Sequence, residues 1–141
     1  MVTDRLFLIA IATGPGFWLA LPIAGIPVTG PGWVMESPGL FLSAVLFFPV
    51  IEEVVFRGML QEVLAERLPS SAVGPWSSAN LLTSGLFSAM HLLTHPVVWA
   101  IGAFFPSLLF GYFKERHGRL ASPITLHSFY NAGFFALFGG G

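Results

Sequence analysis

The sequence contains no cysteine and very little charge. Without cysteine the chain can form no disulfide, no thiolate nucleophile and no cysteine-ligated metal site. Charged residues make up 9% of the sequence and hydrophobic residues 55%, whereas soluble domains contain about 25% charged residues. The formal net charge is −1 and no basic cluster exceeds residues 114–119, so nothing indicates a nucleic-acid partner. The shortage of charge predicts an integral membrane protein that has the lipid bilayer as its surroundings. The sequence contains no internal repeat and no linker long enough to separate two domains, so we expect a single domain over residues 1–141.

Long apolar runs separated by turn-rich segments predict an all-α fold, a polytopic membrane helix bundle. About 20 apolar residues cross the hydrocarbon core as one helix. The runs therefore predict about five transmembrane helices, at residues 6–28, 41–60, 78–93, 96–113 and 120–138. A cleaved signal peptide is the alternative for the first run, but that run is long, its leading charges cancel and no clear Ala-x-Ala site follows it.

Five of the six lysine and arginine residues lie on one side of this five-helix arrangement, and the sixth, Arg57, falls within the second run. The loops at residues 29–39 and 94–96 and the C-terminal tail contain neither residue type. Because positively charged loops stay in the cytoplasm, we expect a cytoplasmic N-terminus and a C-terminus on the opposite side. The bases on the cytoplasmic side are Arg5, Arg67, Lys114, Arg116 and Arg119.

Three charged residues, Glu52, Glu53 and Arg57, interrupt the second apolar run. A charge in hydrocarbon costs at least about 2.5–3.5 kcal/mol, so such residues are rare and usually functional. Glu53 and Arg57 are four positions apart with the acid first, which favours an ion pair within the helix. Glu52 projects to a different side, above the apolar Phe56, and therefore needs a proton, a metal or a polar partner on another segment. A buried network that only fixes packing is the alternative.

Polar residues also interrupt two other runs. His91 lies in the third run, and His127 and Asn131 lie in the fifth, one helical turn apart on the same face. Each histidine by itself is more typical of a packing residue. A lipid-facing position would leave each of these side chains without a partner, so we expect all three to turn inward and to converge with Glu52 inside the bundle.

Two further histidines need a separate interpretation. His95 follows His91 by four positions, which suggests a two-histidine metal site. The sequence contains no His-Glu-x-x-His pattern, however, and His95 comes directly before Pro96, so we interpret it as an interfacial residue. His117 lies in a basic turn and is interpreted as a solvated loop residue.

Three motifs stand in a fixed order, each on its own predicted helix. This order resembles that of the CPBP family (CAAX proteases and bacteriocin-processing enzymes), which are glutamic-type intramembrane endopeptidases. The resemblance covers about residues 48–135, within a motif-bearing core of about residues 41–138. The motifs that carry it are Glu52-Glu53-x-x-x-Arg57, Phe87-x-x-x-His91 and His127-x-x-x-Asn131.

The resemblance implies an intramembrane endopeptidase that needs no metal or other cofactor. Its substrate would be a membrane-associated protein or peptide. Glu52 would be the general base and would share the attacking water with His91. His127 and Asn131 would stabilise the oxyanion. The neighbouring Glu–Arg pair would hold the second helix in place and keep a positive charge near the base.

Two other functions remain open from the residues alone. The first is a zinc-dependent intramembrane protease, because Glu52, His91 and His127 could bind zinc and leave one position for water. That arrangement has no obvious base, since Glu53 is committed to Arg57. The second is a non-enzymatic membrane protein, in which the same polar cluster lines an ion path or the chain serves an immunity or scaffold role.

Overall fold

The computed structural model describes residues 3–69 and 71–139, and these residues form the predicted all-α fold. The predicted locations of the two chain ends concern residues 1–2 and 140–141, which lie outside the described residues. The α-helices are α1 (Arg5–Ile23), α2 (Gly32–Glu36), α3 (Pro38–Leu42), α4 (Phe48–Glu53), α5 (Gln61–Arg67), α6 (Ser78–His91), α7 (Val97–His117) and α8 (Ala121–Phe138).

Two π-helical segments, π1 (Ser43–Phe47) and π2 (Val54–Leu60), join α3, α4 and α5 into one helix of 30 residues, Pro38–Arg67. Segments of this kind are frequently found at functional sites. In a π-helix each carbonyl accepts from the N–H five residues later, as the Ser43 carbonyl does from Phe48. The next donor in this pattern would be Pro49, which has no N–H. The Ala44 carbonyl is therefore available to a donor from another segment.

Helices α1, Pro38–Arg67 and α7 are the ones, within the described ranges, that are long and apolar enough to cross a membrane. They correspond to the first, second and fourth predicted spans. Helix α6 has 14 residues, which is fewer than the hydrocarbon core requires, and the polar side chains of α8 lower its hydropathy. The membrane class is confirmed, and the count of five spans stays a prediction.

The surface of the helices is apolar and part of their interior is charged. Ile23 is 88% exposed and Leu93 is 83% exposed, whereas Glu53 and Arg57 are both 0% exposed. Soluble proteins avoid large exposed apolar patches and rarely bury charge completely. This distribution is the one expected for helices whose outer faces contact lipid.

Capping residues account for several helix ends. The Asp4 side chain accepts from the N–H of Leu6, and Ser77 begins α6 by accepting from the N–H of Asn80, each at 3.0 Å. Gly118 ends α7 in the left-handed conformation, with φ of 63°. Helix α7 thus extends through most of the basic turn predicted at residues 114–119.

The segment between the second and third predicted spans contains a short antiparallel hairpin. Strands β1 (Ala72–Val73) and β2 (Trp76–Ser77) pair with Val73 opposite Trp76. Gly74 occupies the turn with φ of 62°, a conformation that residues with a Cβ rarely adopt. The hairpin leads directly into α6.

The described chain divides into two compact units, residues 3–51 with 125–139 and residues 52–124. In the first unit α1 packs closely on α8. A Cβ at Gly133 would lie 2.1 Å from the Trp18 ring, so glycine is required for this approach. The Tyr130 hydroxyl bonds to Thr13 at 2.8 Å and donates to the carbonyl of Ala10.

In the second unit α6 packs on α7 through small and polar residues. The Ser88 hydroxyl donates to the Ala100 carbonyl at 2.7 Å, and the Asn80 amide donates to the Leu108 carbonyl at 3.0 Å. A Cβ at Gly111 would lie 2.0 Å from the Asn80 side-chain oxygen. These contacts bring α7 against the segment that contains the charged motif.

Candidate active site

The charged motif forms the ion pair that its spacing predicts. Arg57 Nη1 donates to Glu53 Oε1 at 3.0 Å, and both side chains are completely buried. Glu53 is the last residue of α4 and Arg57 lies in π2, so the pair spans the junction between an α-helical and a π-helical segment. Because each charge would be costly alone in a low-dielectric interior, the pair depends on both partners.

The guanidinium of Arg57 also contacts residues of α6 and α7. Its Nη2 donates to the main-chain carbonyl of Ser107 at 3.0 Å and to the Ser107 hydroxyl. Its guanidinium carbon lies 4.8 Å from the ring centre of Phe87 and 5.5 Å from that of Phe110. Aromatic faces attract a desolvated cation. The guanidinium is therefore held by a carboxylate, a serine and aromatic rings at the same time.

The two neighbouring glutamates have different environments. Glu53 is completely buried against Arg57, whereas Glu52 is half-buried and belongs to the last turn of α4. The charge of Glu52 also interacts with that of Arg57. The structure thus places the guanidinium of Arg57 close to two carboxylates and bonds it directly to that of Glu53.

His91 is the last residue of α6, and its ring orientation is fixed by its own helix. Its Nδ1 lies 2.9 Å from the carbonyl of Phe87, and the two rings are 4.5 Å apart. A carbonyl can only accept, so Nδ1 carries the proton and Nε2 is the acceptor in the neutral ring. The Phe87-x-x-x-His91 spacing therefore determines the tautomer.

His95 and His117, the two histidines outside the predicted site, have other contacts. His95 is exposed and its Nδ1 bonds to the Thr94 hydroxyl at 2.8 Å. His117 is half-buried at the end of α7 and bonds to the Ser122 hydroxyl at 2.6 Å, so the prediction of a solvated loop residue was wrong. No local pattern indicates this contact, because it depends on how α8 follows the Gly118 turn.

His127 and Asn131 lie one turn apart on α8, as predicted. His127 is 6% exposed. Asn131 is half-buried, and its Nδ2 donates to the Ala44 carbonyl at 2.9 Å. This is the carbonyl that Pro49 leaves available in π1. The amide carries a second N–H, so the bond to Ala44 fixes its orientation without using its full donor capacity.

The predicted site residues are divided between the two units. Glu52 and His91 lie in one unit, together with the Glu53–Arg57 pair, while His127 and Asn131 lie in the other. Convergence of all four on one site stays a prediction. Within the described part of each unit, no three His, Asp or Glu side chains form a group that could hold a metal ion. That the reaction needs no metal likewise stays a prediction.

Sequence reasoning missed a polar cluster one turn beyond Arg57. The Gln61 amide is buried and donates to the Glu115 carboxylate at 2.7 Å and to the Gly111 carbonyl at 3.3 Å. The Ser77 hydroxyl donates to the same carboxylate at 2.6 Å. These bonds join α5, α7 and the hairpin. Local spacing gives no sign of this cluster, because the partners of Gln61 lie on distant segments.

Comparison with known proteins identifies the family. The model of the Rce1-like type II CAAX prenyl endopeptidases matches residues 33–133, which is more than half of the chain and includes all six predicted site and supporting residues. The match begins ahead of the segment 48–135 on which the resemblance was based. No curated protein and no solved structure matches the chain with significance. The resemblance to the CPBP family is confirmed, and the non-enzymatic alternative is set aside: the chain belongs to the Rce1-like type II CAAX prenyl endopeptidases and is a membrane peptide hydrolase.

Proposed function

We propose that this membrane endopeptidase activates a water molecule with Glu52 and His91 and stabilises the oxyanion with His127 and Asn131. The observation that carries the proposal is the contrast between the two adjacent glutamates. Glu53 is completely buried and bonded to Arg57 at 3.0 Å, which makes it a structural residue. Glu52 is half-buried, so it can exchange a proton with water and substrate.

In the proposed reaction Glu52 is the general base. It takes one proton from the water molecule while the water oxygen bonds to the carbon of the scissile peptide. The peptide carbonyl becomes an oxyanion in the tetrahedral intermediate. When the C–N bond breaks, Glu52 returns the proton to the leaving nitrogen, and the products are a carboxyl group and an amine. No other reactant is required.

The tautomer of His91 supports its proposed part in holding the water. Its Nδ1–H is bonded to the Phe87 carbonyl, which leaves Nε2 as an acceptor in the neutral ring. An acceptor at this position binds one water O–H, and Glu52 accepts the other. The water oxygen then presents a lone pair to the substrate carbon.

The orientation of Asn131 supports its proposed part as an oxyanion donor. The Ala44 carbonyl holds one N–H of the amide, so the second N–H has a fixed direction. Donors that are fixed before reaction stabilise developing charge without a cost of reorientation. His127, one turn earlier on α8, would supply a second donor.

The proposed topology has five spans, with the N-terminus in the cytoplasm. The substrate is proposed to be a membrane-associated protein or peptide that is cut near a terminus or beside a spanning helix. The family description makes a peptide ending in a prenylated Cys-a-a-X sequence the first probe to use. Comparing the termini of membrane proteins by mass spectrometry, with and without the protein, would identify native substrates.

The central test is Glu52→Gln in purified protein reconstituted in liposomes. The amide preserves size and hydrogen bonding but cannot accept the proton of water, so cleavage of a fluorogenic prenylated Cys-a-a-X peptide should be abolished while the protein stays folded and inserted. Glu66→Gln is the matched control, because Glu66 is exposed on the same long helix. Turnover retained in Glu52→Gln would remove Glu52 from the role of base.

A further inference from the structure

Ser107 is a buried polar residue that belongs to none of the three motifs. It lies in the middle of α7, directly after Pro106, and is 0% exposed. Both its hydroxyl and its main-chain carbonyl accept from Nη2 of Arg57. A serine placed in this way determines where the guanidinium of Arg57 lies.

Arg57 in turn contacts Glu53 and Phe87, which adjoin the two side chains that are proposed to hold the water. On one side Nη1 bonds to Glu53, whose neighbour in the chain is Glu52. On the other side the guanidinium lies 4.8 Å from the ring centre of Phe87, whose carbonyl accepts from His91. A shift of the guanidinium would therefore act on the base and on the histidine together.

We propose that Ser107 is a positioning residue for the hydrolytic reaction. By fixing the guanidinium of Arg57 it maintains the relative positions of Glu52 and His91. This inference rests on the proposed function, because it assigns the water to those two side chains. All the contacts that carry it lie within the unit of residues 52–124.

The bonding of the guanidinium explains why the hydroxyl matters. Arginine is a rigid planar fork, so one nitrogen bonded to Glu53 and the other bonded twice to Ser107 define both the position and the tilt of the plane. Removing the hydroxyl leaves the carbonyl of residue 107 as the remaining acceptor. The plane can then tilt against the Phe87 ring without losing the ion pair.

Kinetics of Ser107→Ala in liposomes test the proposal, with the prenylated Cys-a-a-X peptide as the probe. Displacement of reacting groups by about 1 Å can lower a rate by about 100-fold, so kcat should fall by about 10- to 100-fold. KM should change by less than about twofold, because Ser107 does not touch the substrate. The matched control is Ser84→Ala, which removes an equally buried hydroxyl bonded to Asn80 instead of Arg57. Equal effects of the two substitutions on kcat would overturn the proposal.

A pair of isosteric variants keeps the test decisive if Ser107→Ala does not accumulate. Ser107→Thr retains a hydroxyl, and Ser107→Val has nearly the same shape without one. The threonine variant should be at least about 10-fold faster in kcat than the valine variant. Equal rates would show that shape alone matters at this position, and the proposal would be wrong.

Coupling to Arg57 separates this proposal from the proposed function. In an Arg57→Lys background the fork is already lost, so Ser107→Ala should lower kcat by much less than it does in the native protein. An unchanged effect in that background would overturn the route through Arg57. Failure of the proposed function has a different signature, which is full turnover in Glu52→Gln with the Ser107 effects unchanged.

Discussion

Because the Glu53–Arg57 ion pair is completely buried, replacing one partner should destabilise the protein more than replacing both. Replacing Arg57 by methionine leaves the Glu53 carboxylate 0% exposed and without its cation. Breaking a buried pair in this way costs about 3–5 kcal/mol. At roughly 4 °C per kcal/mol for a chain of this length, Arg57→Met should unfold about 12–20 °C below the native protein. Glu53→Gln should lower the unfolding temperature by a similar amount, because it removes the carboxylate partner of the guanidinium.

The double variant makes the argument sharper. When both charges are replaced, as in Glu53→Gln with Arg57→Met, neither of the two buried positions carries a charge. Replacing a whole buried pair by hydrophobic residues is often neutral or stabilising, and a buried neutral amide costs less than a buried unpaired charge. We therefore expect the double variant to be more stable than either single variant, although its activity should remain low because the base has lost its positive neighbour.

Thermal unfolding in detergent, followed by tryptophan fluorescence, measures these differences. The control is Glu62→Gln, which breaks the ion pair of Lys114 and Glu62 at 2.9 Å. Glu62 is 55% exposed, so its pair should contribute less than about 1 kcal/mol. Two outcomes would refute the mutual dependence of the buried pair. In the first, the losses of stability in the two single variants add in the double variant. In the second, both single variants are as stable as the native protein.

Three further predictions concern the oxyanion, the cofactor and the topology. Asn131→Ala should slow turnover by about 10²–10³-fold, the usual loss for one oxyanion donor, and should affect kcat more than KM; an effect confined to KM would contradict the donor role. The purified protein should contain well under one zinc per chain and remain active after dialysis against a strong chelator, whereas stoichiometric zinc with metal-dependent activity would favour the zinc alternative. A reporter inserted at Gly118 should be cytoplasmic and one fused after Gly141 should not be, and both on one side would exclude five spans.

Local spacing was sufficient for the features that lie within one helix. The four-residue separation of Glu53 and Arg57 predicted an ion pair that the structure contains at 3.0 Å. The same spacing placed His127 and Asn131 one turn apart on α8. Such relations depend on helical geometry alone, so they can be read before any packing is known.

Contacts between distant segments could not be predicted in this way. Ser107 contacts Arg57 across 50 positions of sequence, and Gln61 contacts Glu115 across 54. A serine in an apolar run has no local feature that names its partner. The π-helical segments were missed for a related reason, because patterns of period 3.6 assume regular α-helical bonding. Pro49 was the one available signal, since it removes a donor inside a long helix.

The close approach of α7 to α6 at Gly111 has a consequence for engineering the protein. A side chain at this position would meet the Asn80 oxygen at 2.0 Å, so a saturation library should recover glycine almost exclusively there. Gly85 and Gly102 are also helical, but a Cβ at either meets nothing within 4 Å. Alanine in a helix interior is favoured over glycine by about 1 kcal/mol. These permissive positions are therefore sites at which a more robust variant for crystallisation can be built without disturbing the chemistry.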